Sequence, residues 1–408
     1  MKSAVRSFLA LVGLWSFAAC SGEPVPPVGD APQLTEVVQP TLPACVSPAV
    51  DSMFRVDTLA RDLDVPWRAA VAPDGRVFVT ERFGRLGVWR PESGVFEAWA
   101  EVPVFSGGEA GLMGLVLHPD FSENGELFAV GTLPRLQGLR GAIASVLPGR
   151  SGPRLVNRVL RFRDTSEGKG ELLGQVGNDL PSGVLHAGAE LRFGPDGGLF
   201  VSLGDGLEPQ ASSSPTSLRG TILRLDLADS ETGEWEIYAS GFRNVQGFDW
   251  NPDDGSLYAV DHGPTGMPKE DGRVDNDELN VVARASDHGW PWASGFQTYA
   301  GATPPVWGWT PATAPGALAF GTATPTGRDL WVGHLKRQAM SRYQVGPEGL
   351  RCEDWIFMGR FGRVRSVAVT ADGSLYLTTA NRSGQIAARP GDDLLLRASP
   401  LVRDQGGQ

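Results

Sequence analysis

Residues 189–205, AELRFGPDGGLFVSLGD, decide the fold. Leu191 and Phe193 alternate with charged residues, Gly194 to Gly198 turn the chain, and Leu199, Val201 and Leu203 alternate again. Alternation at every second position marks a half-buried strand. The Pro-Asp-Gly turn uses a proline whose φ is already set and a glycine free to take positive φ.

Five other stretches echo this unit: PWRAAVAPDGRVFVTE (66–81), GLMGLVLHPDFSENGELFAVG (111–131), QGFDWNPDDGSLYAVD (246–261), GALAFGTATPTGRDLWVG (316–333) and RSVAVTADGSLYLTTA (365–380). A single hairpin cannot bury its apolar face, whereas radial stacking of six does so and leaves only short edges. The uneven spacing fits four-stranded blades with inserted loops. The reading is an all-β, six-bladed β-propeller with four-stranded antiparallel blades over residues 49–400, with 401–408 as a tail. The 53 Gly and 31 Pro agree with a chain of many tight turns. A β-sandwich would not repeat one turn six times.

The N-terminus reads as an address. Lys2 and Arg6 precede an apolar run through Phe8, Leu9, Leu11, Val12, Leu14 and Trp15, too short to span a bilayer. It ends in Phe17-Ala18-Ala19-Cys20, so residues 1–19 look like a bacterial lipoprotein signal with Cys20 as the acylated residue. Ser21 after the cysteine resembles lipoproteins sent to an outer membrane. The expected location is outside the cytoplasm, lipid-anchored at the outer membrane or periplasm or on the cell surface. Residues 20–48 are Pro-rich and read as a solvated tether. Lys2 and Arg6 are the only charges before Cys20, so their removal takes the formal charge of −11 to −13. An acidic body without a basic stripe argues against nucleic acid as a partner. Cys45 and Cys352 remain; they can form a disulfide or stay free thiols, and their spacing leaves both open.

A propeller says little about function, but it places sites on the loops at blade ends. His186, ahead of the third echo, lies between Leu185 and Ala187-Gly188 and is freer to face a channel than to fill a core. Arg243, Asn244 and Gln246 open the fourth echo and are donors suited to a flat ligand with carbonyls; the bland alternative is a polar cap. The echo closes on Asp261-His262-Gly263-Pro264, and Asp277 follows. Carbonyls beside Gly263 and Pro264 with carboxylates nearby are hard oxygen ligands suited to calcium. Lys336, Arg363 and Arg365 place three cations at blade starts of an acidic protein, pointing to an anionic ligand. Alternation puts Arg363 and Arg365 on one side.

The run of PWRAAVAPDGRVFVTER, GLMGLVLHPDF, NRVLRF, the His186 segment, RNVQG, HGP, DELN, HGWP, GHLK, RVRSV and GDDLLLR resembles the soluble glucose/sorbosone dehydrogenases from about Asp62 to Arg397. These are six-bladed propellers using pyrroloquinoline quinone (PQQ) and calcium. The resemblance implies His186 as general base, with Arg243 and Asn244 donating to the quinone carbonyl. It implies Gln246, His262 and Asp277 as further cofactor contacts and Gly263 and Pro264 as backbone calcium ligands. Lys336, Arg363 and Arg365 would face the PQQ carboxylates and ring. Two departures stand out: Ala189 where the family has a second glycine, and Ala314-Pro315-Gly316-Ala317 without the usual hydroxyl residue. The implied reaction is oxidation of an aldose to its lactone, with electrons passed to a quinone or cytochrome. A cofactor-free propeller binding a glycan or protein is the alternative. A calcium-dependent lactonase is a further rival, against which the cationic trio speaks.

Overall fold

A computed structural model describes residues 31–45, 53–135, 155–227, 233–267, 270, 272–273 and 275–401. Cys20, the signal and nearly all of the tail (402–408) lie outside them. Six four-stranded antiparallel sheets are present. Their innermost strands are Pro66–Val71, Leu112–Leu117, Leu191–Phe193, Val245–Trp250, Pro315–Thr324 and Val364–Val369, each the first strand of an echo. Neighbouring blades meet along these strands around a ring; blade 3 meets blade 4 through Leu199–Leu203. Even the weakly patterned fifth echo pairs in register, Leu318 opposite Val332.

The sixth blade is closed by a strand outside the echoes. Phe54–Ala60 pairs antiparallel with Leu395–Pro400, so the start of the domain completes the sheet made by its end. Ring closure thus depends on backbone hydrogen bonds between residues more than three hundred positions apart in sequence.

The core is six seams rather than one centre. Phe78, Trp99 and Phe162 lie between blades 1 and 2. Phe200, Phe242 and Phe248 fill the seam between blades 3 and 4. Tyr258, Phe320 and Tyr343 fill that between blades 4 and 5. Each sheet is therefore covered on both faces. In blade 3, Val201 and Leu203 pack toward blade 2 while Phe200 packs toward blade 4. That is why apolar and small residues outnumber polar ones in these strands.

Part of the segment expected to be a solvated tether is fastened to the body. Thr35–Glu36 pairs with Gln297–Thr298, and the Val37 N–H donates to the Phe296 carbonyl. Cys45 and Cys352 form a disulfide with Cα atoms 4.9 Å apart, beside the Ala44–Glu353 bridge. Backbone donors that water would otherwise satisfy find sheet edges instead.

At Gly114, where the inner strand of blade 2 meets blade 3, only glycine fits. A Cβ on Gly114 would lie 2.1 Å from the Ala189 carbonyl oxygen of the next blade. Gly114→Ala is expected to cost about 1–3 kcal/mol by forcing the blades apart. Urea unfolding checks it: a midpoint equal to wild type would contradict this packing.

Candidate active site

The loops leading into the inner strands, and those joining each second strand to its third, meet on one face. His186 enters from the segment before Leu191, with positive φ at His186 and Ala189. Ala189 thus keeps the left-handed backbone that a glycine would adopt without strain.

His186 is buried at 5% exposure. Its Nδ1 lies 2.6 Å from Asp205 Oδ1, and its Nε2 lies 2.9 Å from Arg243 Nη2. A carboxylate accepts and a guanidinium only donates, so Nδ1 carries the proton and Nε2 the lone pair. Burial raises the Asp205 carboxyl, but the His186 hydrogen bond, the Leu207 N–H and Arg243 together hold it below its ordinary value. Trp290 Nε1 donates to Asp205 Oδ2 at 3.0 Å and fixes the second oxygen.

Arg243 is the hub. Its Nε donates to Glu270 at 2.7 Å, its Nη1 to the His262 carbonyl at 3.2 Å and its Nη2 also to Thr265 Oγ1 at 3.1 Å. Glu270 is buried and held by the N–H groups of Thr265 and Met267. Asp205, His186, Arg243 and Glu270 form one connected chain across blades 3 and 4.

Asn244 accepts the Gly188 N–H and the Gln246 amide at Oδ1, and its Nδ2 donates to Glu109 at 3.3 Å. Glu109 also accepts the His186 N–H at 2.9 Å. Gly204 faces this knot; a Cβ there would lie 2.1 Å from the His186 carbonyl oxygen. His262 donates from Nε2 to the Pro315 carbonyl at 3.0 Å, and burial, with Arg365 and Arg243, lowers it to about 3. It is therefore neutral at ordinary pH. Asp277 commits both oxygens to backbone, Oδ1 to Gly263 and Oδ2 to Thr313 and Ala314. It braces the Gly263 loop rather than facing open space. Gly263 must be glycine, since a Cβ would meet the Asn276 carbonyl at 2.0 Å. The Pro264 carbonyl accepts from the Asp275 N–H.

Of the three cations, only Arg365 is fully buried, at 2% exposure. Its guanidinium carbon lies 3.4 Å from the Trp67 ring centroid, and its Nε and Nη2 have no partner. Burial, with repulsion from Arg68, pushes it well below its ordinary value. Arg363 is half-buried with a partnerless Nε, while Lys336 lies on the exposed rim, paired with Asp275 at 2.8 Å. Buried Arg68 pairs with Glu190 and leaves Nε and Nη1 unsatisfied. Buried donors without acceptors are costly, so this group fits a ligand that brings acceptor oxygens.

Sequence reasoning missed Asp205, Glu109, Glu270, Arg68 and Glu190. A signal existed for some: Glu81, Asp205 and Asp261 each close an echo on a carboxylate, and Arg68 and Glu190 are charges inside echo strands. Among the described residues no group of three or more His, Cys, Asp or Glu side chains is arranged to hold a metal.

A buried, carboxylate-oriented histidine together with buried guanidinium donors that lack partners, set in a six-bladed propeller, suits the binding of an anionic ligand. The pattern of the family described as Glucose / Sorbosone dehydrogenase matches residues 63–388, and the chain belongs to that family of oxidoreductases. It is 28% identical to aldose sugar dehydrogenase YliI of Escherichia coli (strain K12), over 83% of this chain and 93% of that protein. A solved putative oxidoreductase (glucose dehydrogenase) of Thermus thermophilus is 33% identical with a TM-score of 0.71, covering 85% of this chain and 99% of that one. The PQQ-bound aldose sugar dehydrogenase of Streptomyces coelicolor is 25% identical with a TM-score of 0.68, covering 88% and 99%.

Beneath the site, Asp261 and Glu278 face each other across paired strands. Burial pushes Asp261 up to about 7, and burial together with the Asp261 charge pushes Glu278 up to about 8. Folded Glu278 thus holds a proton that the unfolded chain releases near pH 4, so its stabilising contribution falls as pH rises from about 4 to about 8. The thermal midpoint should drop between about pH 5 and about pH 8, and drop less in Glu278→Gln. Equal slopes in the two proteins would contradict the assignment.

Proposed function

We propose that this chain oxidises an aldose or related sugar at its anomeric carbon to the lactone, using PQQ and calcium. The observation that carries the reading is the Asp205–His186 pair, with the Nε2 lone pair turned toward Arg243. His186 would take the anomeric hydroxyl proton at Nε2 once the substrate hydroxyl replaces the Arg243 hydrogen bond at that atom. Asp205 keeps the ring in the productive tautomer and stabilises the imidazolium that forms. Arg243 and Asn244 donate to the oxygen on which negative charge develops. PQQ, when bound, supplies the two-electron acceptor for the hydride leaving the sugar carbon.

Arg365, Arg363 and Lys336 would hold its carboxylates, and the partnerless donors of Arg365 and Arg363 support that fit. Gln246 and His262 would line the cofactor, with Asp277 holding their loops. The Gly263 and Pro264 carbonyls would hold calcium, the Gly263 peptide being pinned through its N–H by Asp277. Export with a lipid anchor at Cys20, to the outer membrane, periplasm or cell surface, agrees with the Cys45–Cys352 disulfide, which persists in oxidising compartments. The electrons would pass on to a quinone or cytochrome. A cofactor-free binding module has no use for orphaned buried guanidiniums.

The mature chain with PQQ and calcium should reduce a dye when given aldoses. His186→Ala should lose at least about a thousandfold in kcat with PQQ binding kept, and Asp205→Asn about a hundred- to ten-thousandfold. Failure to bind PQQ would overturn the reading.

A further inference from the structure

In blades 1, 4, 5 and 6 the inner strand carries a bulge at its second residue. Trp67, Gln246, Gly316 and Arg365 are each passed over in the register with the neighbouring strand. A bulge re-aims the side chain it carries. These strands begin at the site face, so the four residues stand at one level just inside it.

Arg68 follows the first of these bulges and crosses the channel at that level. Blades 1 and 4 face each other across a ring of six, and Arg68 Nη2 donates to the Gln246 carbonyl of blade 4 at 3.1 Å. The same guanidinium pairs with Glu190 of blade 3, which Arg192 Nε also holds at 3.1 Å. Arg68 and Glu190 are both buried, at 1% exposure. The Arg68 side chain is thus a crossbar, rooted in blade 1 and pinned at its tip to blades 3 and 4.

Two corners of that guanidinium are unused. Arg68 Nε and Nη1 have no partner among the described residues, and neither do Arg365 Nε and Nη2. After burial itself, repulsion from Arg68 acts most strongly on Arg365, so the two cations lie within electrostatic reach of each other. Gln246, whose carbonyl receives Arg68, turns its amide to Asn244 in the candidate site. Buried charged donors are costly when nothing accepts from them, and one anionic oxygen group between the two guanidiniums answers both.

We infer that Arg68 and Arg365 form one receptor for a single carboxylate-sized anionic group, with Glu190 as the residue that positions Arg68. The inference rests on the proposed use of PQQ for the ligand that brings this group, but not for the receptor itself. A PQQ carboxylate would fill it in the loaded chain, and a free carboxylate in the chain without PQQ. The family resemblance assigns no role to Arg68 or Glu190. Their consequence is selectivity, because a quinone without carboxylates leaves both cations unanswered.

The test titrates PQQ, and PQQ trimethyl ester with its carboxylates masked, into the full mature chain with calcium and follows binding by calorimetry. In parallel, the thermal midpoint without PQQ is compared in acetate and in chloride at equal ionic strength. The variants are Arg68→Met and the double substitution Arg68→Met with Glu190→Leu. Replacing both partners of a buried ion pair is often neutral for the fold, so the double variant serves even if Arg68→Met alone fails to fold. PQQ should bind the variants roughly ten- to hundredfold more weakly than wild type, the size of a lost charge-assisted hydrogen bond. The trimethyl ester should bind wild type and variants alike, whereas a merely structural role for Arg68 would weaken both ligands together and overturn the receptor. Equal PQQ affinity in wild type and double variant would also overturn it and leave the dehydrogenase reading standing. If PQQ does not bind, but acetate raises the midpoint of wild type and not of the double variant, the receptor stands and the PQQ reading falls. Neither PQQ binding nor an acetate effect would overturn both.

Discussion

Everything in this molecule follows from the convergence of six inner strands on one axis. The blades can be wide and apolar at their seams because each sheet is covered on both faces. Near the axis there is no room for that: Gly114 is forced by the Ala189 carbonyl, and Gly247 by the Leu318 amide of the next blade. Side chains that point along the axis must therefore be small or find polar partners. The Arg68–Glu190 pair is one solution, and the hydrogen-bonded Gln246 is another. Arg365 has no such ion pair among the described residues: it stacks on Trp67 and leaves Nε and Nη2 unused.

The same convergence builds the site. Loops at one end of the inner strands are brought within hydrogen-bonding distance although they come from blades far apart in sequence. Asp205 and His186 belong to blade 3, Arg243 and Glu270 to blade 4, and Trp290 locks the first to a later loop. Because each member is held by at least one other, the histidine ring has a single tautomer and orientation. The strand Phe54–Ala60 holds the ring shut at its periphery, and the Cys45–Cys352 disulfide ties the leading segment to the outer strand of blade 5.

Much of this was legible in the sequence because alternation is local. Six repeats of strand, turn and strand show their faces without knowing their neighbours, and the inner strands are the first strands of those echoes. Long-range features were not legible. Phe54–Ala60 closes blade 6 but resembles no echo, and residues 35–45 read as solvated because their sheet-edge partners at Gln297 and Glu353 lie elsewhere in the chain. His186 could be singled out as a pattern-breaking residue. Its partner Asp205 closes the same echo on a carboxylate, but only the structure shows the two side chains meeting at the blade end. Asp277 stood out as an acid, but only the structure shows both oxygens accepting backbone N–H groups. The roles given to these residues came through the family resemblance.

In the proposed function, the Arg365 guanidinium stays buried and unpaired to meet an anionic ligand. An orphaned charge costs stability when nothing answers it, so an apolar replacement of similar reach separates fold from function. The direct measurement is the thermal midpoint of wild type and Arg365→Leu, each with and without PQQ and calcium. Arg365→Leu should melt no lower than wild type without ligand and lose most of the PQQ-induced rise. A variant that melts lower without ligand and keeps the full rise would contradict it.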